Sequence, residues 1–312
     1  MRPSHLRLGA TLYVPATRPD MVAVANGDRL PFLRSVIICT EDSVHQRQVD
    51  AALDNLRLGL VQIREPRPLV FIRPRSPAIL SRLLAMRGIE RVDGFVLPKS
   101  TVDSVAAYAA QAPARFLLMP TLETREVFDP PDMAALRAFL DEPDLRARIL
   151  ALRVGGNDIL NHLGVRRRPG RTIYETAAGP VVARLVATFK PHGFPLTAPV
   201  FDDFGDLDTL QEEVWRDLEH GLVGKTAIHP CQIEPIEREY RVRPVDLDAA
   251  RKILDPDAQA VFQVNRVMCE PATHTTWARM ILDQADIYGT ADADLEQTVN
   301  PEASFGPRLA LP

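Results

Sequence analysis

The sequence predicts an α/β fold, and within that class a (β/α)8 barrel followed by a C-terminal helical extension. Short apolar runs alternate with segments of helical periodicity eight times between residues 8 and 230. Most of these runs are continuously apolar, as in strands that are buried on both faces of a parallel sheet. The count and the length suit a barrel of about 250 residues. An open, doubly wound sheet is the alternative.

Each predicted strand is an apolar run that ends in polar residues. The helices are clearest at 76–88, 101–112 and 206–221, where apolar residues recur every three or four positions. The last of these helices has Asp206 or Asp208 as a candidate N-cap and Gly221 just past its end. In chain order the predicted strands occupy 8–16, 35–42, 69–75, 94–100, 115–123, 149–158, 195–204 and 224–230.

The pattern changes after the eighth run. Residues 1–230 are predicted to form the barrel core, and 231–290 a C-terminal extension of two or three helices with irregular joins. Residues 291–312 have little periodicity and are predicted to form a loosely ordered tail.

Composition narrows the classes of partner. The chain has 37 basic and 41 acidic side chains, a net charge of −4, so it offers no electrostatic footprint for nucleic acid. It has no apolar run long enough to cross a membrane and no signal-peptide pattern at its start. The three cysteines, Cys39, Cys231 and Cys269, are widely spaced and indicate neither a disulfide framework nor a zinc motif. These features favour a cytoplasmic protein.

The polar residues lie at the C-terminal ends of nearly all the runs. In a barrel these ends share one face, where active sites are built. The alternative for any single residue is that loops are simply polar. The set comprises Thr17 and Arg18, Glu41 and Asp42, Arg73 and Arg75, Lys99, Glu123, Asn157 and Asp158, Asp202 and Asp203, and His229.

Glu123 and Asp158 are the first candidates for chemistry. They end consecutive strands, so their carboxylates can converge at the mouth of the barrel. Mg²⁺ is commonly held by one or two carboxylates, with water and substrate oxygens as its other ligands. Gly155 and Gly156 would let the backbone approach a ligand closely. The alternative is that both acids interact with amides at helix N-termini.

Three arginines form the second group. Arg18, Arg73 and Arg75 near one mouth indicate an anionic substrate, because a guanidinium matches a carboxylate or phosphate. Arg75 follows a proline, and a surface role is the alternative for it. Glu41 and Asp42 would either orient metal-bound water or pair with these arginines.

His229 and the basic run 166–171 are weaker candidates. A single histidine before a proline is more often structural than catalytic, and a basic loop is more often simply solvated. The glycines of "RVGGND" do not form a dinucleotide-binding fingerprint, because no G-x-G-x-x-G follows.

Several motifs together resemble the citrate lyase β-subunit-like branch of the HpcH/HpaI aldolase and malyl-CoA lyase superfamily. "LYVPATRPD" is similar to the family's "LFVPGSRP", "CTEDSV" to "DLEDSV", "FVLPKS" to "IVLPK", "TLETREV" to "IETA" and "VGGNDIL" to "GAEDL". The most specific match is the segment from "DDFGDLDTL" to "GKTAIHPCQIEPI". The resemblance covers about residues 8–285 in order.

The resemblance implies a TIM barrel that binds Mg²⁺ through Glu123 and Asp158. It also implies that Arg18 and Arg73 bind and stabilise an oxyanion or carboxylate, and that Glu41 and Asp42 support the water shell of the metal. A homo-oligomer, either a trimer or a hexamer, is implied as well. The predicted substrate-binding residues are Arg18, Arg73, Arg75, Lys99, Gly156 and Asn157.

The chain also departs from the family pattern. "VMCEPATHTT" replaces "GKMVDRP", which places Cys269 and Glu270 where some relatives have an acid–base aspartate. Glu270 is therefore a predicted catalytic residue, with Arg18, Arg73, Glu41 and Asp42. Near "GAEDL" the chain has Asn157 in place of the family's glutamate.

The resemblance implies a Mg²⁺-dependent carbon–carbon lyase of the aldol or Claisen type. Its substrate would be a 2-hydroxy or α-keto carboxylate, and whether a CoA adduct is used stays open. The alternatives are a hydrolase or synthase that acts on a related enolate, and a non-catalytic ligand-binding member of the fold.

Overall fold

The structure is a computed structural model that describes residues 3–291. Apart from residue 291, the predicted tail lies outside the described residues. The chain divides into two compact units, Met1–Glu237 and Arg238–Pro312. The predicted boundary after residue 230 falls inside the first unit.

The first unit is a barrel of eight parallel strands. The sheet order is β7-β6-β5-β4-β3-β2-β1-β8. A bridge between Ala198 and Lys225 closes the ring, and the Ala198 N–H donates to the Gly224 carbonyl at 2.7 Å. The predicted (β/α)8 barrel is confirmed. Its strands are β1 (Ala10–Pro15), β2 (Ser35–Cys39), β3 (Leu69–Arg73), β4 (Gly94–Leu97), β5 (Leu117–Leu122), β6 (Leu152–Val154), β7 (Leu196–Thr197) and β8 (Lys225–Ala227).

Helices follow the strands, and side-chain caps define several of their starts. Ser76, Thr101 and Asp206 each accept a backbone N–H at a helix N-terminus, as expected for short polar side chains. The helices are α1 (Met21–Ala25), α2 (Val49–Gly59), α3 (Pro77–Leu84), α4 (Val102–Gln111), α5 (Pro130–Leu140), α6 (Pro143–Arg146), α7 (Gly156–His162), α8 (Gly179–Phe189), α9 (Leu207–Glu219) and α10 (Ile233–Glu239). The division between the two units falls within α10.

The barrel interior contains an apolar cluster below the charged C-terminal ends of the strands. Ile37, Phe71, Val96 and Met119 belong to one buried cluster. Arg73 lies two residues beyond Phe71 on β3, so it is on the same face and closer to the C-terminal mouth. The fold therefore places the polar ends of the strands together above a packed core.

The second unit contains α11 (Pro244–Ile253), an antiparallel hairpin and α12 (Pro271–Tyr288). The hairpin pairs β9 (Phe262–Val264) with β10 (Val267–Cys269), where only helices were predicted. Asn265 and Arg266 form its two-residue turn with φ values of 47° and 66°. Both values are positive, as a type I′ turn requires. Over residues 3–291, none of the helices combines the length and apolarity that crossing a bilayer requires.

Candidate active site

Five charged side chains meet at the C-terminal mouth of the barrel. We name Glu41, Asp42, Arg73, Lys99 and Glu123 the mouth cluster. Arg73 is at its centre and is only 5% exposed. Its Nη2 lies 2.8 Å from Glu41 Oε2 and 2.9 Å from Glu123 Oε1. The ends of β2, β3 and β5 thus supply a buried arginine between two buried carboxylates.

Lys99 completes the cluster from the end of β4. Its φ is +49°, in the left-handed region that residues other than glycine seldom adopt. In this conformation its backbone N–H donates to Glu123 Oε1 at 2.7 Å. Its ammonium group pairs with Glu41 and lies 3.3 Å from Asp42 Oδ2. The sequence places Lys99 at the mouth, and the structure shows that both its backbone and its side chain contact acids.

The pKa values of the acids differ because their partners differ. Burial alone would raise the pKa of Glu41, but the Arg73 charge and hydrogen bonds with Asp42 and Lys99 outweigh it and lower that pKa to about 2. Burial and the neighbouring Glu41 raise the pKa of Asp42. Burial also raises the pKa of Glu123 to about 7, despite Arg73, and the charge of Asp158 adds to this effect. Glu123 is therefore a buried carboxylate that lacks enough positive charge around it.

Asp158 approaches Glu123 from the next strand. It is half-buried in the first turn of α7, which begins directly after Gly155 at the end of β6. A Cβ atom on Gly155 would lie 2.3 Å from Glu123 Cβ and 2.5 Å from Glu123 Oε2. Only glycine lets the end of β6 come this close to Glu123.

The two glycines serve packing and strand pairing. The Gly155 N–H donates to the Leu122 carbonyl at 3.1 Å, so it is used in the barrel ladder. A Cβ atom on Gly156 would lie 2.7 Å from Pro199 Cβ and 2.8 Å from Ile173 Cδ1. The predicted substrate contact of Gly156 stays a prediction, as does that of Asn157, whose side chain is exposed.

The chemistry of this site suits a divalent cation with oxygen ligands. Four carboxylates, from Glu41, Asp42, Glu123 and Asp158, face two cations, Arg73 and Lys99. Among residues 3–291, no group of three or more His, Cys, Asp or Glu side chains is arranged as a metal cage. Mg²⁺ is commonly held by one or two carboxylates, with water and substrate at its other positions, and the metal-binding role of Glu123 and Asp158 stays a prediction.

Arg18 and Arg75 contact other groups. Arg18 binds Asp20 through Nε at 2.8 Å and Nη2 at 2.7 Å, and its side chain is 46% exposed. Arg75 donates from Nη2 to the Glu41 carbonyl at 2.7 Å and also contacts the carbonyls of Thr40 and Val44. Arg75 therefore supports the loop that carries Glu41 and Asp42. The predicted substrate contacts of Arg18 and Arg75 stay predictions.

His229 and Glu270 occupy helix starts. His229 Nδ1 accepts the Cys231 N–H, and its ring stacks on Phe204 at 5.0 Å, which is a structural role. Glu270 belongs to the second unit, where it precedes α12 and its carboxylate lies 3.3 Å from Thr273 Oγ1. Its catalytic role stays a prediction.

Arg153, in the middle of β6, is not among the site residues predicted from the sequence. It is 2% exposed, and its Nη2 donates to Thr226 Oγ1 on β8 at 2.6 Å. Its guanidinium carbon also lies 5.6 Å from the ring centroid of Tyr13 on β1. Since β6 is adjacent to neither β1 nor β8, these contacts cross the barrel interior. A single charge inside an apolar run, "ILALRV", was the signal available in the sequence.

A second buried ion cluster lies between β8 and α9. We name Arg167, Glu213, Asp217 and Lys225 the β8–α9 cluster. Lys225 Nζ lies 2.9 Å from Glu213 Oε1 and 2.8 Å from Asp217 Oδ2, and all three side chains are fully buried. Arg167 Nη1 lies 3.4 Å from Glu213 Oε2, and the Tyr174 hydroxyl donates to Asp217 at 2.5 Å. Arg167 Nη1 also lies 3.5 Å from Asp202 Oδ1, so two cations face three acids here.

Comparisons with known proteins agree with this architecture. A family model described as "C-C bond lyase of the TIM-barrel fold" matches residues 2–290. The (3S)-malyl-CoA thioesterase of Cereibacter sphaeroides is 26% identical over 248 residues, which are 78% of this chain and 80% of the relative.

Solved structures share the fold. The CitE protein of Mycobacterium tuberculosis, in complex with magnesium, acetoacetate and coenzyme A, superposes with a TM-score of 0.69 and 24% identity, covering 90% of this chain and 99% of that one. The citrate lyase β subunit of M. tuberculosis, complexed with oxaloacetate and magnesium, gives a TM-score of 0.59 at 24% identity over 76% of this chain and 99% of that one. The family model spans almost the whole chain and confirms the resemblance seen in the motifs. The chain belongs to the family of C–C bond lyases of the TIM-barrel fold.

Proposed function

We propose that the protein is a Mg²⁺-dependent carbon–carbon lyase that cleaves or forms an aldol- or Claisen-type bond beside the carbonyl of a 2-hydroxy or α-keto carboxylate. The observation that carries this proposal is the excess of acid at the mouth, where the charge of Asp158 acts on the buried Glu123 and four carboxylates face two cations. Relatives support it, because the CitE structures are complexes with magnesium and small carbonyl acids.

Glu123 and Asp158 would hold the metal, which when bound supplies a Lewis acid for the oxygens of a carbonyl acid. Arg73 and the Lys99 N–H both bind Glu123 Oε1, so this oxygen is fixed and Oε2 faces the end of β6. Arg73 also places positive charge beside the reacting carbonyl, where negative charge develops in an enolate or alkoxide. Glu41, held by Arg73 and Lys99, stays ionised and keeps Arg73 in place.

Hydrolysis of a CoA thioester is the second candidate. It is favoured by the relative named (3S)-malyl-CoA thioesterase, which matches 78% of this chain. The enolate chemistry of a lyase and the hydrolysis of a thioester would use the same metal and the same arginine. The two activities differ in the bond that breaks and therefore in the products.

Product analysis with malyl-CoA and Mg²⁺ separates the two candidates. A lyase releases a 2-oxo acid, detected as its phenylhydrazone, and leaves the thioester intact in acetyl-CoA. A thioesterase releases a free thiol, detected with a disulfide reagent, together with malate. Mg²⁺-dependent deuterium exchange into the methyl group of pyruvate in D₂O extends the lyase test to a substrate without CoA.

We expect the unmodified protein to release the 2-oxo acid or to catalyse the deuterium exchange. We expect Glu123→Gln to do neither. This variant keeps an oxygen acceptor for Arg73 and Lys99 but removes the metal-binding charge. Release of free thiol without a 2-oxo acid would show that the protein is a thioesterase and would contradict the lyase proposal. If neither activity is detected with glyoxylate, pyruvate, oxaloacetate or their CoA adducts, both candidate functions are contradicted. A ligand-binding role would then be favoured.

The homo-oligomeric state, a trimer or a hexamer, is part of the same proposal, as is a cytoplasmic location. Light scattering coupled to size-exclusion chromatography tests the first, and fractionation of the producing cells tests the second. A monomer would contradict the oligomer without affecting the lyase assignment.

A further inference from the structure

Arg153 is a buried cation without a carboxylate partner among the described residues. Its Nη2 donates to the hydroxyl group of Thr226, and its guanidinium lies near the ring of Tyr13. Its Nη1 is buried and has no hydrogen-bond partner within residues 3–291. Burial lowers the pKa of this guanidinium and the charge of Arg73 adds to the effect, whereas Tyr13 and the charge of Glu123, which is not in contact with it, act in the opposite direction.

Two other buried cations of the barrel have carboxylate partners. Arg73 contacts Glu41 and Glu123, and Lys225 contacts Glu213 and Asp217. Removing a charge from water costs several kcal/mol unless a counter-charge compensates it. An unpaired buried arginine is therefore retained at a cost in stability, which points to a ligand that supplies the missing charge.

Strand register places Arg153 directly below the candidate metal ligands. It pairs with Thr121 on β5 and Thr197 on β7. Thr121 precedes Glu123 by two residues, so the layer lies about 6–7 Å further into the barrel. The hydroxyl groups of Thr121 and Thr197 are also buried without a partner. We name Tyr13, Arg153, Thr121, Thr197 and Thr226 the floor layer.

We propose that the floor layer binds a second anionic group of the substrate, a carboxylate at the end remote from the metal, and that Arg153 selects dicarboxylates over monocarboxylates. This inference rests on the proposed function, which places the first carboxylate and its neighbouring oxygen at Glu123 and Asp158. A divalent cation would neutralise the excess acid at the mouth. Arg153 would then be the charge that lacks a counter-ion, and a carboxylate would supply it.

The test compares two ligands that differ only in the remote group. Malate carries a carboxylate where 2-hydroxybutyrate carries a methyl group, and both are chemically stable 2-hydroxy acids. Calorimetric titration of the Mg²⁺-loaded protein should show that one malate enantiomer binds about 10- to 100-fold more tightly, the range expected for a charge-assisted hydrogen bond. Arg153→Gln should reduce this ratio to about twofold and leave the affinities for Mg²⁺ and 2-hydroxybutyrate unchanged.

Arg148→Gln is the matched control. Arg148 is also a buried arginine, but it donates to the backbone carbonyls of Ala109 and Ala112. This variant should keep the preference for malate. A loss of preference in both variants would indicate a general effect of removing a buried arginine and would overturn the assignment.

Other outcomes are equally decisive. Equal affinities for the two ligands in the unmodified protein would overturn the inference without any variant, even if Arg153→Gln fails to fold. Ionisation of Tyr13 near neutral pH, seen by ultraviolet difference spectroscopy with Tyr13→Phe as the blank, would show that the counter-charge is internal and would also overturn it. Failure to bind Mg²⁺ would contradict the proposed function and this inference together, whereas Mg²⁺ binding with equal ligand affinities would contradict this inference alone.

Discussion

The mouth cluster and the β8–α9 cluster are built from the same kinds of side chain and differ in the size of their acid excess. In the β8–α9 cluster two cations, Lys225 and Arg167, face the buried acids Glu213 and Asp217, and Arg167 also pairs with Asp202. At the mouth, Arg73 and Lys99 face four acids. The β8–α9 cluster joins a strand to its helix and fixes the barrel wall. The larger excess of acid at the strand ends favours a bound cation, and this excess distinguishes the candidate functional cluster from the structural one.

The largest expected effect is the loss of stability when Lys225 is removed from the β8–α9 cluster. Lys225→Met should lower the free energy of unfolding by about 3–5 kcal/mol, because it leaves Glu213 and Asp217 buried without their main partner. Urea denaturation followed by circular dichroism measures this loss. Mg²⁺ should stabilise this variant no more than it stabilises the unmodified protein. Lys252→Met, which removes a cation from an exposed pair with Asp248, is the control and should change stability by less than about 1 kcal/mol.

Removing Arg73 should increase the stabilisation by Mg²⁺, whereas removing Lys225 should not. Arg73→Met should cost about 3 kcal/mol in metal-free buffer, because Glu41 and Glu123 lose their shared guanidinium. Mg²⁺ should then raise the free energy of unfolding more in this variant than in the unmodified protein, since the acid excess is larger. The measurement is denaturation with Mg²⁺ and with a chelator. A response to Mg²⁺ as small as that of Lys225→Met would remove the distinction between the clusters.

The pH dependence of metal-free stability should separate Glu123 from Glu41. The pKa of Glu123 is raised to about 7, so the folded state holds a proton that the unfolded state, with a pKa near 4.5, has lost. The contribution of Glu123 to stability is therefore greatest at low pH and is lost as pH rises through about 7. Between about pH 5 and about pH 8, the unmodified protein should lose up to about 3 kcal/mol relative to Glu123→Gln.

Glu41→Gln provides the contrast to that titration. The pKa of Glu41 is lowered to about 2, so its contribution is present above the usual value near 4.5 and is lost only as pH falls further. Denaturation curves should thus show a constant difference between Glu41→Gln and the unmodified protein over the range in which Glu123→Gln varies. If the stability of Glu123→Gln and that of the unmodified protein changed in parallel with pH, Glu123 would be ionised over the whole range and adequately paired.

The barrel could be predicted because its signals are local and repeated. Runs such as "SVIIC" and "LVFIR" are continuously apolar and end in polar residues, which is sufficient to indicate buried parallel strands and their mouth. The gathering of Glu41, Arg73, Lys99 and Glu123 follows from topology alone, because all parallel strands end at one face. The ends of the strands were less predictable. The seventh run was predicted over 195–204, but β7 is only Leu196–Thr197, because pairing with neighbouring strands determines where so short a strand ends.

Features that depend on tertiary contacts were not predictable. Glu213 and Asp217 are four residues apart on α9 and resemble a solvated helix face until β8 places Lys225 against them. Arg153 occupies an ordinary strand position, and only the closed barrel brings it to Thr226 and Tyr13. The hairpin of β9 and β10 turns at Asn265 and Arg266, a pair without the glycine that usually marks such turns.

A Mg²⁺ titration of Asp158→Asn against Asp208→Asn tests whether Asp158 binds the metal. Both aspartates lie in the first turn of a helix, so both variants remove the same favourable interaction with the helix N-terminus. If Glu123 and Asp158 hold the metal, calorimetry should show at least about 100-fold weaker Mg²⁺ binding in Asp158→Asn and unchanged binding in Asp208→Asn, with both variants folded. Equal Mg²⁺ affinity in the two variants would show that Asp158 serves only its helix and would contradict the account.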